Sequence, residues 1–114
     1  MAEKNSLQYS PSPESKDHAK INPEYNLFIG GKFVEPKSNK YYDTINPATE
    51  EKLSRIAHAG TQDVDLAVAK ARSAYEKYWK KISPSERGKY LFRIARAIQE
   101  RSRELAVIES MNGG

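Results

Sequence analysis

A Gly30-Gly31 pair set between two short apolar runs, Leu27-Phe28-Ile29 and Lys32-Phe33-Val34, constrains this chain more than any other feature. A two-residue primed turn needs positive φ at both central positions, which two glycines supply without a Cβ penalty. The two runs are therefore predicted to fold back on each other as a tight β-hairpin. Pro36 and Asn39 break the pattern after it. Tyr41 to Ile45 then reads as a further strand ended by the turn formers Asn46-Pro47, and Leu53 to Ala59 alternates as one more strand closed by Gly60.

From Thr61 the apolar period changes from that of a strand to that of a helix. Thr61 is the expected N-cap, with Asp63 and Asp65 in the first turn, where the helix dipole favours negative charge. Val64, Ala67, Val68, Ala71, Ala74, Tyr75, Tyr78 and Trp79 form one stripe, and its central alanines imply close approach to another element. Ser83 followed three residues later by Glu86 is a capping box, with Pro84 at the first helical position of a second helix. Leu91, Ile94, Ala95 and Ile98 continue the period, and Leu105 and Ile108 stay in phase. Arg101-Ser102 is a point where the helix can restart with Ser102 as a new cap, and Gly113-Gly114 is a stop. The expected fold is α/β. Residues 25–60 give the hairpin and strands, and residues 61–114 give two to three amphipathic helices. Residues 1–24, rich in Ser, Pro, Lys and Glu with few apolar anchors, are expected to form a flexible polar tail.

Composition removes several kinds of chemistry. With no cysteine among its 114 residues, the chain offers neither a disulfide framework nor a thiolate nucleophile, which fits a reducing compartment. No apolar run approaches the roughly 18 residues of a membrane span. The first residues lack the apolar core of a secretory signal and carry Glu3, Glu14 and Asp17, so cytoplasm is the expected location. His18 and His58 lie far apart without partners at metal-ligand spacing; an exposed His18 and a strand-surface His58 are expected. Ser83 and Ser85 have no histidine near them in sequence, and Gly30-Gly31 fits neither the GxGxxG nor the P-loop spacing. No catalytic residue and no cofactor-binding residue is assigned.

The net charge of +4 arises mainly between Lys70 and Arg103. One reading of that surface is a small basic helical module that binds nucleic acid, with Tyr75, Tyr78, Trp79 and Tyr90 stacking on bases. Two features favour a different reading: three of these aromatics fall on the apolar stripe of the first helix, where they suit a packed core, and such a module has no need of the hairpin. For a chain this short and this polar, the stripes look made to pack against protein beyond these residues.

The motifs taken in order resemble the start of the aldehyde dehydrogenase superfamily. The resemblance rests on Asn26-Leu27-Phe28-Ile29-Gly30-Gly31-Lys32-Phe33-Val34, on Ile45-Asn46-Pro47-Ala48-Thr49-Glu50, and on Asp63-Val64-Asp65 opening an Ala-rich helix. Ser85-Glu86-Arg87-Gly88 and Glu109-Ser110-Met111-Asn112-Gly113-Gly114 complete it. Each motif alone is weak, and five in the right order are specific. The match runs from about Tyr25 to Gly114.

The resemblance implies that these residues are roughly the first quarter of an NAD(P)-dependent enzyme, within its cofactor-binding domain. In that family a cysteine thiolate attacks the aldehyde, hydride passes to NAD or NADP, and a glutamate-activated water releases the acid. The cysteine, the glutamate and the dinucleotide-binding turns all come later in the family's chain. This segment would then be structural and inactive alone. Its partners would be the remainder of its own polypeptide, a small-molecule aldehyde and further copies in a homo-oligomer, with no membrane and no nucleic acid. The family also implies a possible monovalent cation, held by backbone oxygens at Thr44 and Ile45 and by Asn112, which stands where Asp is common. A neutral amide is a weaker ligand for a hard cation than a carboxylate, and Asn112 equally suits the polar end of a helix.

Overall fold

The computed structural model describes residues 15–114. Its strands are β1 (Glu24–Tyr25), β2 (Leu27–Ile29), β3 (Lys32–Val34), β4 (Tyr41–Ile45) and β5 (Lys52–Ala57). Its helices are α1 (Thr61–Lys77), α2 (Pro84–Glu100) and α3 (Ser102–Gly113), with 3-10 turns at Lys16–His18 and Trp79–Lys81. This is the expected α/β succession of strands and then helices.

The hairpin forms as its glycines dictate. β2 and β3 pair antiparallel, Leu27 with Val34, Phe28 with Phe33 and Ile29 with Lys32. Gly30 and Gly31 sit at φ +64° and +83°, the two left-handed positions of a type I′ turn. Phe28 and Phe33 meet edge to face at 5.1 Å on one side of the hairpin. Ile29 is buried and faces the alanine stripe of α1, where Ala67, Ala71 and Ala74 enclose a shallow cavity with Phe28 and Gly30. Small side chains let the helix lie close to the turn, and the stem of Lys70 lies 3.4 Å from where a Cβ on Gly30 would be.

The second sheet has the order β1-β5-β4, parallel between β1 and β5 and antiparallel between β4 and β5. Its register brings Tyr25, Tyr42, Thr44, Ser54 and Ile56 to one face. The other face carries Tyr41, Asp43, Arg55 and Glu24, tied by the Arg55–Glu24 ion pair at 2.6 Å and by the Arg55 guanidinium 4.1 Å from the Tyr41 ring. β5 ends at Ala57 rather than Ala59 because β4 begins at Tyr41. His58 still donates its N–H to the Lys40 carbonyl, and nothing continues the ladder past it. Asn46, nearly buried, builds the β4–β5 turn. Its side chain accepts from Ala48 N–H at 3.0 Å, and its carbonyl accepts from Thr49 and Glu50.

Two helix starts test the capping expectations differently. Ser83 caps α2 as expected: its Oγ accepts from Glu86 N–H, and the Glu86 carboxylate accepts from Ser83 N–H. At α1 the N-cap is Gly60, and Thr61 is already helical. The Asp63 carboxylate displaces the threonine from that role by reaching back to Gly60 N–H at 2.9 Å and also accepting from Lys37 N–H at 3.0 Å. Arg101 breaks the run between α2 and α3, and Ser102 is the first residue of α3 rather than its cap. An Arg101–Glu104 bidentate pair spans that break.

Residues 15–24, placed by composition in the polar tail, lie against the sheet. The Asn22 carbonyl accepts from the buried Ser54 hydroxyl, the Pro23 carbonyl accepts from Arg55 N–H, and Glu24–Tyr25 extends the sheet as β1. His18, expected to be exposed, is half-buried in the first 3-10 turn. Residues 1–14 of that expected tail lie outside the described residues.

The helical stripes, by contrast, are uncovered. Among the described residues the buried apolar ones are Ile29, Pro36 and Ala57, while Leu91 is 63% and Phe92 77% exposed on α2, and Val64 and Val68 are more than half exposed on α1. Trp79, expected to pack in a core with Tyr75 and Tyr78, is 39% exposed and stacks at a tilt on Tyr90, centroids 5.7 Å apart, while Tyr78 is 71% exposed.

Candidate functional site

Where sheet and helix converge, an open groove of about 340 Å3 runs between the Tyr42-Thr44 face of the sheet and the last turns of α3. Leu53, Ser54 and Ile56 form its floor, Ile21 and Tyr25 one wall, and Ile108, Glu109 and Asn112 of α3 the other. Local sequence explains the shape. Thr44 pairs with Ser54, but Ile45 pairs with Lys52, so Leu53 is an extra residue on β5. This β-bulge turns Leu53 to the same side as Ser54, which a regular strand would forbid. It also interrupts the regular ladder between Thr44 and Ile45, just before the Asn46-Pro47 turn. α3 reaches that turn at its C-terminus: a Cβ on Gly114 would lie 3.3 Å from Pro47.

Two of the three residues singled out for a cation, Thr44 and Asn112, therefore line one groove. Ile45 does not line it: it lies just past the bulge, opposite Lys52, whose ammonium pairs with Asp43 of Ile45's own strand at 2.7 Å. Thr44 Oγ1 donates to the Ser54 carbonyl at 3.3 Å. Glu109, one helical turn before Asn112, puts a carboxylate at the same groove. Sequence reasoning passed over it because at position 109 nothing but a helix-surface acid was legible. Most of the lining is apolar or aromatic, and Thr44, Ser54, Glu109 and Asn112 supply its non-aromatic oxygens, the donor type a hard cation takes. Among the described residues no group of three or more His, Cys, Asp or Glu side chains stands at metal-binding distance, so no transition-metal centre is built here.

Asp63 is the most buried titratable group among the described residues, 2% exposed, but both its partners are backbone N–H groups, and it serves the fold. Ser83 and Ser85 lie at the start of α2, with Ser83 engaged in capping. No described helix is long and apolar enough to cross a membrane.

The sequence profile described as "Aldehyde dehydrogenase family" matches residues 33–114. The cytosolic 10-formyltetrahydrofolate dehydrogenase of Xenopus tropicalis is 40% identical over 91 residues, 79% of this chain and 10% of that protein. The mitochondrial 10-formyltetrahydrofolate dehydrogenase of Homo sapiens is 38% identical over the same span and shares. Among solved structures, the NAD+ complex of aldehyde dehydrogenase from Bacillus cereus superposes with a TM-score of 0.76 at 38% identity, covering 80% of this chain and 19% of that one. The chain thus spans about a tenth of these two curated relatives and 19% of the Bacillus protein. None of these three is named as a nucleic-acid binder, and the bulged β4–β5 pair and the capped helices fall within residues 33–114, which β2 and the Gly30-Gly31 turn precede. The chain belongs to the aldehyde dehydrogenase family.

Proposed function

We propose that this chain is the N-terminal part of an NAD(P)-dependent aldehyde dehydrogenase that oxidises an aldehyde to a carboxylic acid, and that its own part in that enzyme is structural. The observation that carries the reading is the match of residues 33–114 to the family, together with the likeness to a structure named as an NAD+ complex. The work of these residues is to seat the hairpin on α1, to bring α3 across the sheet, and to present the apolar sides of α1 and α2 to the remaining polypeptide. The nicotinamide cofactor, when bound, accepts hydride from the substrate. No residue of this chain is assigned to it, and the choice of NAD or NADP lies with residues elsewhere.

A monovalent cation at the groove would be held by the backbone oxygen of Thr44 and by the Asn112 side chain, with the Glu109 carboxylate supplying the charge that the amide lacks; Ile45, outside the lining, would not be a ligand. Its effect would be to lock the end of α3 to the β4–β5 turn. Cytoplasmic location and assembly as a homo-oligomer belong to the same proposal; a cytosolic and a mitochondrial relative both match, so a cellular fractionation decides the first. The test of the reading as a whole is the intact mass of the polypeptide as its source makes it. A mass several times 12.9 kDa is expected, and a mass near that value would refute the proposal.

A further inference from the structure

We propose that residues 15–23 are a strap that positions α3, and so fixes Asn112 across the groove from Thr44. This segment precedes the part of the chain that the family profile matches, residues 33–114, and composition alone marks it as tail. The structure gives it three anchorages. At its start, Ser15 caps the 3-10 turn Lys16–His18 by accepting from Asp17 N–H at 3.1 Å, and that turn packs against α3. In its middle, the Ile21 side chain forms part of the groove wall beside Tyr25, facing Ile108 and Asn112 across the opening. At its end, the Asn22 carbonyl accepts from Ser54 Oγ at 2.7 Å, the Pro23 carbonyl accepts from Arg55 N–H at 2.9 Å, and Asn22 N–H donates to the Tyr25 hydroxyl at 2.8 Å.

Little else among the described residues holds α3 in place. The helix follows α2 through the break at Arg101, and α2 is itself largely uncovered, so the chain connection does not fix the α3 axis. Between α3 and the sheet lies the groove, which is open space. The strap fills one end of that space: one side of it is hydrogen-bonded to β5, and the other is packed on α3. Charge acts in the same direction. The hydrogen bond from Arg101 holds the Glu104 carboxyl below its usual range, and Lys20 of the strap adds to that field. Ile21 and Asn22 are therefore positioning residues for the groove.

The test is hydrogen–deuterium exchange on the intact polypeptide carrying this chain, comparing Ile21→Ala and Ser54→Ala with the parent. The expected result is about tenfold faster exchange of α3 amides, the size of change that losing one half-buried aliphatic or hydrogen-bonded anchor makes in a local opening equilibrium. The α1 amides should stay within twofold of the parent, and Ile21→Val should restore most of the protection. Unchanged α3 exchange in both variants would overturn the proposal. So would equal acceleration of α1 and α3, because it would make these residues part of a common core. If Ile21→Ala does not accumulate as folded protein, Ser54→Ala alone gives the same comparison.

Discussion

The Asp63 carboxylate offers the sharpest test of how the two halves of the chain are joined. It accepts from Gly60 N–H at 2.9 Å and from Lys37 N–H at 3.0 and 3.3 Å while itself nearly excluded from water. One side chain thus begins α1 and ties to it the loop that leaves the hairpin. Asp63→Ala would leave two backbone donors without partners. Each unsatisfied buried donor costs about 1–3 kcal/mol, but the Lys37 side of the pair is open enough for water to replace part of the loss. A total of about 2–3 kcal/mol follows, including the few tenths contributed by an acid in the first helical turn. At 1.4 kcal/mol per factor of ten, the first-turn amides of α1 and the Lys37 amide should exchange roughly 30- to 150-fold faster. Thr61→Ala is the control. The sequence pattern makes Thr61 a cap worth about 1 kcal/mol, whereas the structure makes it an ordinary first-turn residue, so a loss below about 0.5 kcal/mol is expected. The reasoning is refuted if Thr61→Ala costs as much as Asp63→Ala, or if Asp63→Ala leaves both amides as protected as before.

Other perturbations follow from single interactions. Ser83→Ala removes the Oγ acceptor of the α2 capping box and should cost about 1 kcal/mol, seen as faster exchange confined to the first turn of α2. Gly31→Ala forces an L side chain to φ +83° in otherwise open space; it should destabilise the hairpin by about 1–2 kcal/mol in urea unfolding. The Arg101–Glu104 pair makes α3 sensitive to acid. Its hydrogen bond lowers the Glu104 pKa from an ordinary value of 4.5, so the stabilisation is complete above that value and is lost as pH falls through the lower folded pKa. α3 exchange, corrected for intrinsic pH dependence, should accelerate below about pH 4.5 in the parent and show no such step in Glu104→Gln.

Much of this architecture was legible because it is local. The Gly30-Gly31 turn, the Ser83-Glu86 box and the Asn46-Pro47 turn each place their own hydrogen-bond partners within a few residues, so spacing alone identified them. Features that depend on distant partners were not legible. Thr61 has the right side chain for a cap and yields to Asp63, because Asp63 also serves Lys37, 26 positions away. The extra residue in β5 shows only when Thr44-Ile45 is laid against Lys52-Ser54, and without that bulge neither the groove nor the place of Glu109 in it could be read. Thr44 and Asn112 were paired by family resemblance, and the structure sets both at one groove through the bulge and the approach of α3 to Pro47. Residues 15–23 looked like tail because backbone carbonyls, which carry no sequence signal, make their contacts to β5. The exposed stripes of α1 and α2 teach the complementary lesson. Periodicity reveals that a face is apolar, but not whether its covering layer lies within the same stretch of chain.

The central claim, that these residues support a dehydrogenase without performing its chemistry, is tested most directly by one assay run on two samples. NAD+-dependent oxidation of a simple aldehyde would be followed with the intact polypeptide from its source and with the 114-residue chain alone. The account predicts NADH production by the first and none by the second. Turnover by the 114-residue chain alone, or an intact polypeptide that oxidises no aldehyde with either NAD+ or NADP+, would contradict it.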